Sequence, residues 1–536
     1  MNLLRRSRES AFAVLVTSAV GIAISGCALF GSTAPAAASD NQVAIFQDPG
    51  IEQDVSPPIS DAFIQQHLQA LRSLGVDVLR IGLAWTNVAP DANSRTRPAF
   101  DAADPNAYDW EFYDRLVSTA ESDGIAVDLL VTGGPSVTPL WATQSGAPPP
   151  NSGSGSLFSF DHVWKPSASE YGQFVRAVGS HFRSVHFWEI WDEANWGPAL
   201  APQVQGGAMV GAALYRSLLD AGYSALQGTG HGHDTILAGN YTQDGSSQPN
   251  ATNSSAPLTF TRALYCVNAS YAPLRGSAAQ SLGCPTTRAG SRQFPSAHPA
   301  LFRVSGFGVH PYQYSNPPSR PDYPNPNGVE YNEIPHFVSV LNSVQRAYGS
   351  HKRMAVYNTE YGYQTRPPAA GRNPTPNTAA VWLNQAEYIA WRSNRISSFD
   401  QYELQDGGWF NTGLVNANGK PKATFYAWRM PIWLPSTSES RGHSIEVWGD
   451  VRPAHFAHGA QYAYIQFARR NSSSFSSVLR VRITNSRGYF DAHVKLPSSG
   501  QVRIAWSYPA GDATLYNTLS PSQTRIYSRT TSVSVH

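Results

Sequence analysis

Short apolar runs alternate with longer amphipathic segments between residue 42 and about residue 430. Eight of these runs have a strand-like composition, and they begin near residues 43, 76, 125, 185, 235, 304, 354 and 396. The segments between them, such as DAFIQQHLQALRSLG and SEYGQFVRAVGSHF, place apolar residues at a spacing of three and four, as amphipathic helices do. Several runs are almost continuously apolar, which is typical of parallel strands covered on both faces. The pattern predicts an α/β fold, a (β/α)8 or TIM barrel over residues 42–433.

An open, doubly wound sheet is the alternative arrangement of the same elements. Such a sheet usually carries a glycine-rich phosphate-binding turn after its first strand. The corresponding segment here reads VAIFQDPGI, which is not a turn of that kind. The barrel is therefore favoured.

The pattern changes near the C-terminus. Residues 444–536 contain only short alternating runs, among them SIEVWGD, QYAYIQFARR and QVRIAWSY, separated by Gly, Pro, Asn and Ser. Strands at this spacing without helices predict a small all-β sandwich. The segment holds few carboxylates and no nucleophile clustered with a base, so we expect an accessory domain rather than a second enzyme. Two domains also agree with a length of 536 residues.

The first 27 residues have the features of an export signal. Arg5, Arg6 and Arg8 precede the apolar stretch AFAVLVTSAVGIAI, which is too short for a comfortable membrane span. The stretch runs into ISGC, which resembles the bacterial lipobox, where the cysteine is lipidated. Residues 28–41 are small and uncharged until Asp40, as a flexible tether would be. We expect a bacterial cell-surface lipoprotein anchored through Cys27; ordinary cleavage with loss of Cys27, giving a secreted protein, is the alternative.

Composition and charge fit an exported protein. Charged residues make up 14% of the chain, against roughly 25% in an average soluble protein, and Gly, Pro and aromatic residues are plentiful. The formal net charge is only +2, and no long basic run occurs beyond the first ten residues, so nucleic acid is not an expected partner. An oxidising compartment would pair Cys266 with Cys284, 18 positions away, although two separate buried thiols are the alternative.

Candidate chemistry lies where the predicted strands end, because barrel enzymes collect their functional residues at the C-terminal ends of strands. These positions hold Arg80 and Trp85 (second strand), Asp192, Glu193 and Asn195 (fourth), His310 and Tyr312 (sixth), Glu360 (seventh) and Trp409 (after the eighth). Two glutamates would face each other across the barrel mouth, among aromatic residues. Cleavage of a glycosidic bond requires such a pair: one carboxyl protonates the leaving oxygen and the other stabilises or attacks the anomeric carbon.

Two motifs strengthen this interpretation. WEIWDEAN, at 188–195, resembles the WEIWNEPN type of motif, and NTEYGY, at 358–363, resembles the TE.G motif, of clan A glycoside hydrolases, especially the cellulase-like family 5 and family 39 members. The resemblance implies that Glu193 is the general acid/base and Glu360 the nucleophile of a retaining enzyme. It also implies that Arg80, His310, Tyr312 and Trp409 line the sugar subsite, that no metal or organic cofactor is needed, and that the partner is a carbohydrate substrate. We expect a monomer.

One residue departs from that motif. Asp192 stands where the family has Asn, whose amide binds the 2-hydroxyl of the sugar. Either Asp192 is held protonated and imitates Asn, or it stays charged and prefers a cationic 2-substituent. A non-catalytic carbohydrate-binding lipoprotein on a degenerate barrel is the alternative function, and retention of both glutamates argues against it. His231 with His233, and His455 with His458, lack further ligands at useful spacing, so no metal site is predicted.

Overall fold

The computed structural model describes residues 39, 41–52, 59–132, 135, 137–149, 159–408, 410–509 and 524–536. The export signal with Cys27, nearly all of the predicted tether, and Trp409 lie outside the described residues. Within the described part of the chain, no helix has the length and apolar character needed to cross a membrane.

Eight parallel strands form the first sheet, and they confirm the predicted barrel. They are β1 (Val43–Gln47), β2 (Val78–Leu83), β3 (Ala126–Val131), β4 (Phe187–Ile190), β5 (Thr235–Thr242), β6 (Gly306–His310), β7 (Ala355–Asn358) and β8 (Ser398–Tyr402). Neighbours along the sheet follow chain order, and β1 returns to pair with β8. A parallel bridge between Val356 and Ile396 joins β7 to the start of β8, so the sheet closes on itself.

Helices cover the outside of the barrel. The longer ones are Asp61–Ser73, Glu111–Ser122, Ala168–His181, Val210–Gly228, Ile334–Ala347 and Pro376–Trp391. Shorter ones are Trp85–Val88, Pro257–Leu264, Gly276–Gln280, Arg288–Ala297, Ala300–Arg303 and Ala423–Arg429. Several begin where the sequence offers a capping hydroxyl: the side chains of Ser60, Ser167 and Thr375 each accept a hydrogen bond from the backbone N–H three residues ahead.

The connection between β5 and β6 carries the disulfide. Cys266 follows the helix Pro257–Leu264, Cys284 precedes the helix Arg288–Ala297, and the two sulfurs are bonded. The predicted pairing is confirmed. The bridge closes a loop of polar sequence whose short helices bury few apolar side chains, so it contributes to stability mainly by restricting the unfolded chain.

Antiparallel strands make up the C-terminal part of the chain, as predicted for a sandwich. They are β9 (Ile432–Trp433), β10 (Ser438–Glu439), β11 (Ser444–Asp450), β12 (Tyr462–Arg469), β13 (Ser476–Arg482), β14 (Tyr489–Lys495), β15 (Gly500–Ser507), β16 (Arg525–Tyr527) and β17 (Thr531–Val535). One sheet contains β14, β11 and β9, and the other contains the remaining six. A core of its own lies between them, with Ile465, Val502 and Ile504 among its members.

A buried charged network joins the sandwich to the barrel. The Arg452 guanidinium lies 2.6 Å from Glu387, on the helix Pro376–Trp391, and 3.2 Å from Asp450 of β11. The Tyr489 hydroxyl donates to Glu387 at 3.1 Å, and Arg452 stacks on the ring of Trp428 at 4.1 Å. Buried charges are tolerated only when paired and hydrogen-bonded, so this network ties the two units together in one arrangement.

Candidate active site

The acidic pair Asp192 and Glu193 lies immediately after β4, on a backbone that turns sharply. Trp191 and Glu193 both have positive φ angles, 67° and 40°. Side chains rarely adopt this conformation, and each instance costs of the order of 1 kcal/mol. Asn240 of β5 holds the turn in place: its carbonyl accepts from the Glu193 N–H at 2.9 Å and its side-chain amide donates to the Trp191 carbonyl at 3.1 Å. The strain directs Glu193 towards the mouth of the barrel instead of continuing the strand.

Glu360 reaches the same place from β7. The Thr359 N–H donates to the Val309 carbonyl of β6 at 3.1 Å, and the Tyr361 N–H donates to Asp400 of β8 at 3.0 Å. The backbone on both sides of Glu360 is therefore fixed by neighbouring strands. Its side chain is 13% exposed, so it faces the open end of the barrel.

Arg80 of β2 is the cation that joins the carboxylates. Its side chain is fully buried, and it donates to Glu189 at 2.8 Å, to Asp192 at 2.9 Å and to Glu360 at 2.7 Å. It also donates to the Gln47 side chain on β1. Glu189, which strand alternation predicts to be an interior carboxylate, is buried in this ion pair. Nearby negative charges outweigh the effect of burial and hold the pKa of Arg80 above its usual value.

His310 of β6 lies between the two glutamates. Its Nδ1 is 3.1 Å from a Glu193 oxygen and 3.5 Å from a Glu360 oxygen. Those two oxygens therefore cannot be further apart than 6.6 Å, the combined length of the two contacts. The Tyr312 hydroxyl donates to the second oxygen of Glu360 at 3.1 Å. The structure thus brings Arg80, His310 and Tyr312 around the predicted catalytic pair.

The electrostatics of the site act on Asp192 and His310 in particular. Burial raises the pKa of Asp192 from 3.8 to about 7; the charges of Arg80 and His310 oppose this shift, and Glu360 and Glu193 add to it. Burial alone would lower the pKa of His310, but Glu360, Asp192 and Glu193 outweigh it and raise that pKa from 6.5 to about 9. At neutral pH the imidazole is therefore charged, and Asp192 is poised between its two forms.

Two predicted substrate-binding residues lie away from this cluster. Trp85 is fully buried and stacks on Phe174 with ring centres 4.8 Å apart. Asn195 is also buried; its amide donates to the carbonyls of Thr242 and Ser255 and accepts from the Thr242 N–H. Both side chains pack and brace the loops behind the mouth, so neither is placed to touch a sugar in this structure. Trp409 is not among the described residues.

Other residues of the site are not predicted from the sequence. Gln47 ends β1, and Asp400 and Tyr402 lie on β8. Glu52 follows β1 and accepts from the Gln47 amide at 3.3 Å; burial raises its pKa to about 7. Burial likewise raises the pKa of Asp400, with Arg80 opposing and Glu360 adding to the shift. Examining the C-terminal ends of all eight strands, including the first and the last, is the signal that finds them.

Two groups of side chains are compact enough to surround a metal ion among the described residues. In the site, ligand atoms of Asp192, His310 and Glu360 lie within 4.8 Å of one another. Positive charge from Arg80 already meets both carboxylates there. The second group, His186, His231 and Asp234, lies at the N-terminal ends of β4 and β5, at the opposite end of the barrel. The fold brings these partners to His231, which has none nearby in the sequence beyond His233 and Asp234.

Comparison with known proteins adds likeness of structure only. No family model matches the sequence, and no curated protein matches it. A family 39 glycoside hydrolase from Bacteroides cellulosilyticus WH2 is similar at a TM-score of 0.45 and 14% identity, over 85% of this chain and 80% of that one. A GH39 enzyme from Xanthomonas axonopodis pv. citri (TM-score 0.44, 12% identity, 87% and 94%) and an endo-β-1,4-mannanase from Thermotoga petrophila (0.38, 9%, 92% and 98%) are also similar. Likeness at this level supports no assignment of function, which has to come from the residues of the site.

Proposed function

We propose that the protein is a retaining glycoside hydrolase that cleaves β-glycosidic bonds of a poly- or oligosaccharide. The observation that carries this proposal is the meeting of Glu193 and Glu360 at one histidine nitrogen, with their nearest oxygens within 6.6 Å. Retaining enzymes keep their two carboxyl groups about 5–5.5 Å apart, whereas inverting enzymes need roughly 6.5–9.5 Å to admit a water molecule. The close pair favours double displacement.

Glu360 takes the role of nucleophile in this mechanism. Arg80 donates to one of its oxygens and Tyr312 to the other. Hydrogen bonds to the charged form keep a carboxylate ionised and hold it in one orientation for attack on the anomeric carbon. The attack forms a glycosyl ester on Glu360 and releases the leaving oxygen.

Glu193 takes the role of general acid and then of general base. While Glu360 is negatively charged, repulsion favours the protonated form of Glu193, which can donate its proton to the leaving oxygen. Once Glu360 is esterified, that negative charge is gone, and the cations Arg80 and His310 remain beside Glu193. The ionised form of Glu193 is then favoured, and it can accept a proton from the water that hydrolyses the ester.

Aromatic side chains near Glu360 suit a sugar ligand. Tyr312 lies edge to face with Phe410, ring centres 5.0 Å apart, and Tyr402 lies beside both. Ring faces pack well against the apolar C–H faces of sugars. The β-linked substrate class itself rests on the motif resemblance in the sequence.

Two substitutions test the assignment of roles on a panel of aryl β-glycosides and oligosaccharides. Glu360→Ala should abolish turnover on every substrate. Glu193→Ala should lower kcat/KM by about 10²–10⁴-fold on substrates with poor leaving groups and spare activated ones, because only poor leaving groups need the proton. Glu121→Ala, at an exposed glutamate, is the matched control and should change neither.

Added azide separates the two roles further. It should yield a glycosyl azide of retained configuration with Glu193→Ala and of inverted configuration with Glu360→Ala. Equal losses on activated and unactivated substrates in both variants contradict the assignment. Measurable sugar binding without turnover by the unaltered protein across the whole panel supports the non-catalytic alternative instead.

We also propose that the protein is exported and carries lipid on Cys27. The disulfide between Cys266 and Cys284 supports this, because such bonds persist in oxidising compartments. Mass spectrometry of the N-terminal peptide from the membrane fraction tests it. A cleaved peptide beginning after Cys27 overturns the lipid anchor but leaves export standing.

A further inference from the structure

The outer face of the six-stranded C-terminal sheet is unusually rich in arginine and aromatic side chains. Alternation along the strands sends Ile465, Val502 and Ile504 into the sandwich core and leaves their neighbours pointing outward. We call the outward set on β12, β13, β15 and β16 the arginine–aromatic face. Its members are Tyr462, Tyr464, Phe475 (just before β13), Arg480, Arg482, Arg503, Arg525 and Tyr527.

The guanidinium groups of this face are stacked on its rings. Arg503 lies between two rings, 4.0 Å from the centre of Phe475 and 3.9 Å from that of Tyr527. Arg480 lies 3.7 Å from the centre of Tyr462. Stacking holds a guanidinium flat and leaves its N–H edge available for carboxylate or sulfate groups, at a lower entropic cost on binding.

The positive charge of the face is uncompensated. None of the four strands contains Asp or Glu. Among the residues that the structure describes, no ion pair involves Arg480, Arg482, Arg503 or Arg525. Residues 444–536 hold ten Arg and Lys against four Asp and Glu, a net charge of +6, so the rest of the chain carries −4 of the overall +2. The near-neutral total therefore hides a strongly basic sandwich.

Packing within the protein does not explain these side chains. Arg480, Arg482 and Arg525 are exposed and lie on the side of the sheet away from the core. Like charges on adjacent strands repel one another, so clustering them lowers stability. A cluster that costs stability and supports no fold contact is expected where a ligand of opposite charge binds.

We infer that the arginine–aromatic face binds a linear acidic polysaccharide, one that bears carboxylate or sulfate groups. This inference rests on the proposed glycosidase function for the choice of a polysaccharide over other polyanions. The arginines would bind the anionic groups and the tyrosine rings would pack on sugar faces. Neighbouring strands are about 4.8 Å apart, so the four strands span about 14 Å, which allows contact with several successive sugar units. The sandwich would thus hold the substrate near the barrel.

The test is affinity electrophoresis of the whole protein in native gels containing polygalacturonate, compared with gels containing neutral dextran. The unaltered protein should be retarded by polygalacturonate alone, and retardation should weaken as salt is raised, since charged contacts are screened. The triple variant Arg480→Gln, Arg482→Gln, Arg525→Gln should bind at least tenfold more weakly. Removing these exposed side chains leaves the core intact, and an unchanged melting temperature confirms that the variant is folded.

A second triple variant controls for total charge. Arg353→Gln, Arg441→Gln, Lys495→Gln alters three exposed cations elsewhere and should bind polygalacturonate within twofold of the unaltered protein. Equal weakening in both triple variants shows general attraction to charge and overturns the site. Tighter binding to duplex DNA or to phosphatidylglycerol vesicles than to polygalacturonate overturns the ligand class.

Hydrolysis of aryl glycosides separates this inference from the proposed function. The face variant should keep its rate on these small substrates, because they do not reach the sandwich. Turnover without polysaccharide binding refutes only the binding face, and binding without any turnover refutes only the glycosidase.

Discussion

Replacement of Asp192 by asparagine is the most informative single change, because it removes one titrating group and little else. In the structure an Asp192 oxygen accepts from Arg80 at 2.9 Å, and an amide oxygen at the same position can accept equally. Burial raises the pKa of Asp192 to about 7, so its carboxyl gains charge in the middle of the physiological range. The substituted amide would never carry that charge.

The pKa shift fixes the size of the effect on stability. A rise from 3.8 to about 7 is about 3 units, or about 4 kcal/mol at 1.36 kcal/mol per unit. The folded protein holds this proton more tightly than the unfolded chain, so the free energy of unfolding falls as pH rises from about 4 to about 7. Asp192→Asn lacks this loss. Relative to the unaltered protein it should gain stability progressively over that window, approaching about 4 kcal/mol above pH 8.

The same titration predicts a change in activity. At pH 8, one unit above its pKa, only about a tenth of Asp192 remains protonated and able to donate a hydrogen bond to a 2-hydroxyl. If the protonated form imitates asparagine, kcat/KM on 2-hydroxy glycosides should fall about tenfold between pH 6 and pH 8 through this group. Asp192→Asn should lose that component and stay active to higher pH.

The assay is kcat/KM across pH 5–9 on 2-hydroxy and 2-amino aryl glycosides, with urea unfolding at the same pH values. Asp91→Asn, the same chemical change at an exposed carboxyl, is the control and should alter neither profile. Identical alkaline limbs in the unaltered protein and in Asp192→Asn refute the titration argument. A hundredfold loss confined to 2-amino substrates shows instead that the charged form selects the substrate, and a hundredfold loss on all substrates refutes both interpretations.

Three further changes have definite expected outcomes. Tyr312→Phe removes a hydrogen bond to the charged Glu360, worth about 1.5–3 kcal/mol, so kcat/KM on aryl glycosides should drop about 10–100-fold with an unchanged fold by circular dichroism. Arg80→Met leaves buried carboxylates without their cation and should lower the free energy of unfolding by about 3–5 kcal/mol at pH 7 and by less at pH 4; an equal loss at both pH values contradicts the ion-pair explanation. Cys266→Ala with Cys284→Ala should cost about 3 kcal/mol, seen as a lower melting temperature that reducing agent no longer changes.

The order of strands and helices in the barrel could be predicted from the sequence, because the spacing of apolar residues is a local property. All eight predicted strands and the six long helices occur. The helix Arg288–Ala297 was not predictable in this way, since it is polar and contains Pro295. The strand predicted to end at Trp191 stops at Ile190, because Trp191 adopts a positive φ angle that no apolar pattern reveals.

The site divides in the same manner. Glu193 and Glu360 could be predicted because barrel topology places every strand end at one mouth, so position in a strand is enough. The roles of Trp85 and Asn195 could not, because they depend on which way each side chain points and on partners, Phe174 and Thr242, that lie 89 and 47 residues away in the chain. The same holds for pairs that join distant strands, such as Arg80 with Glu360.

The fold class, the candidate catalytic pair and the disulfide partners could all be read from the amino-acid sequence, since each follows from a residue's place in a repeating local pattern or from a count. The packed molecule was needed to show which carboxylates share Arg80, that His310 lies between the glutamates, and that Asp192 titrates near neutral pH. The difference arises because ion pairing and pKa depend on distance and burial. Both are set by packing between strands that are far apart in the chain, and neither is written in the neighbouring residues.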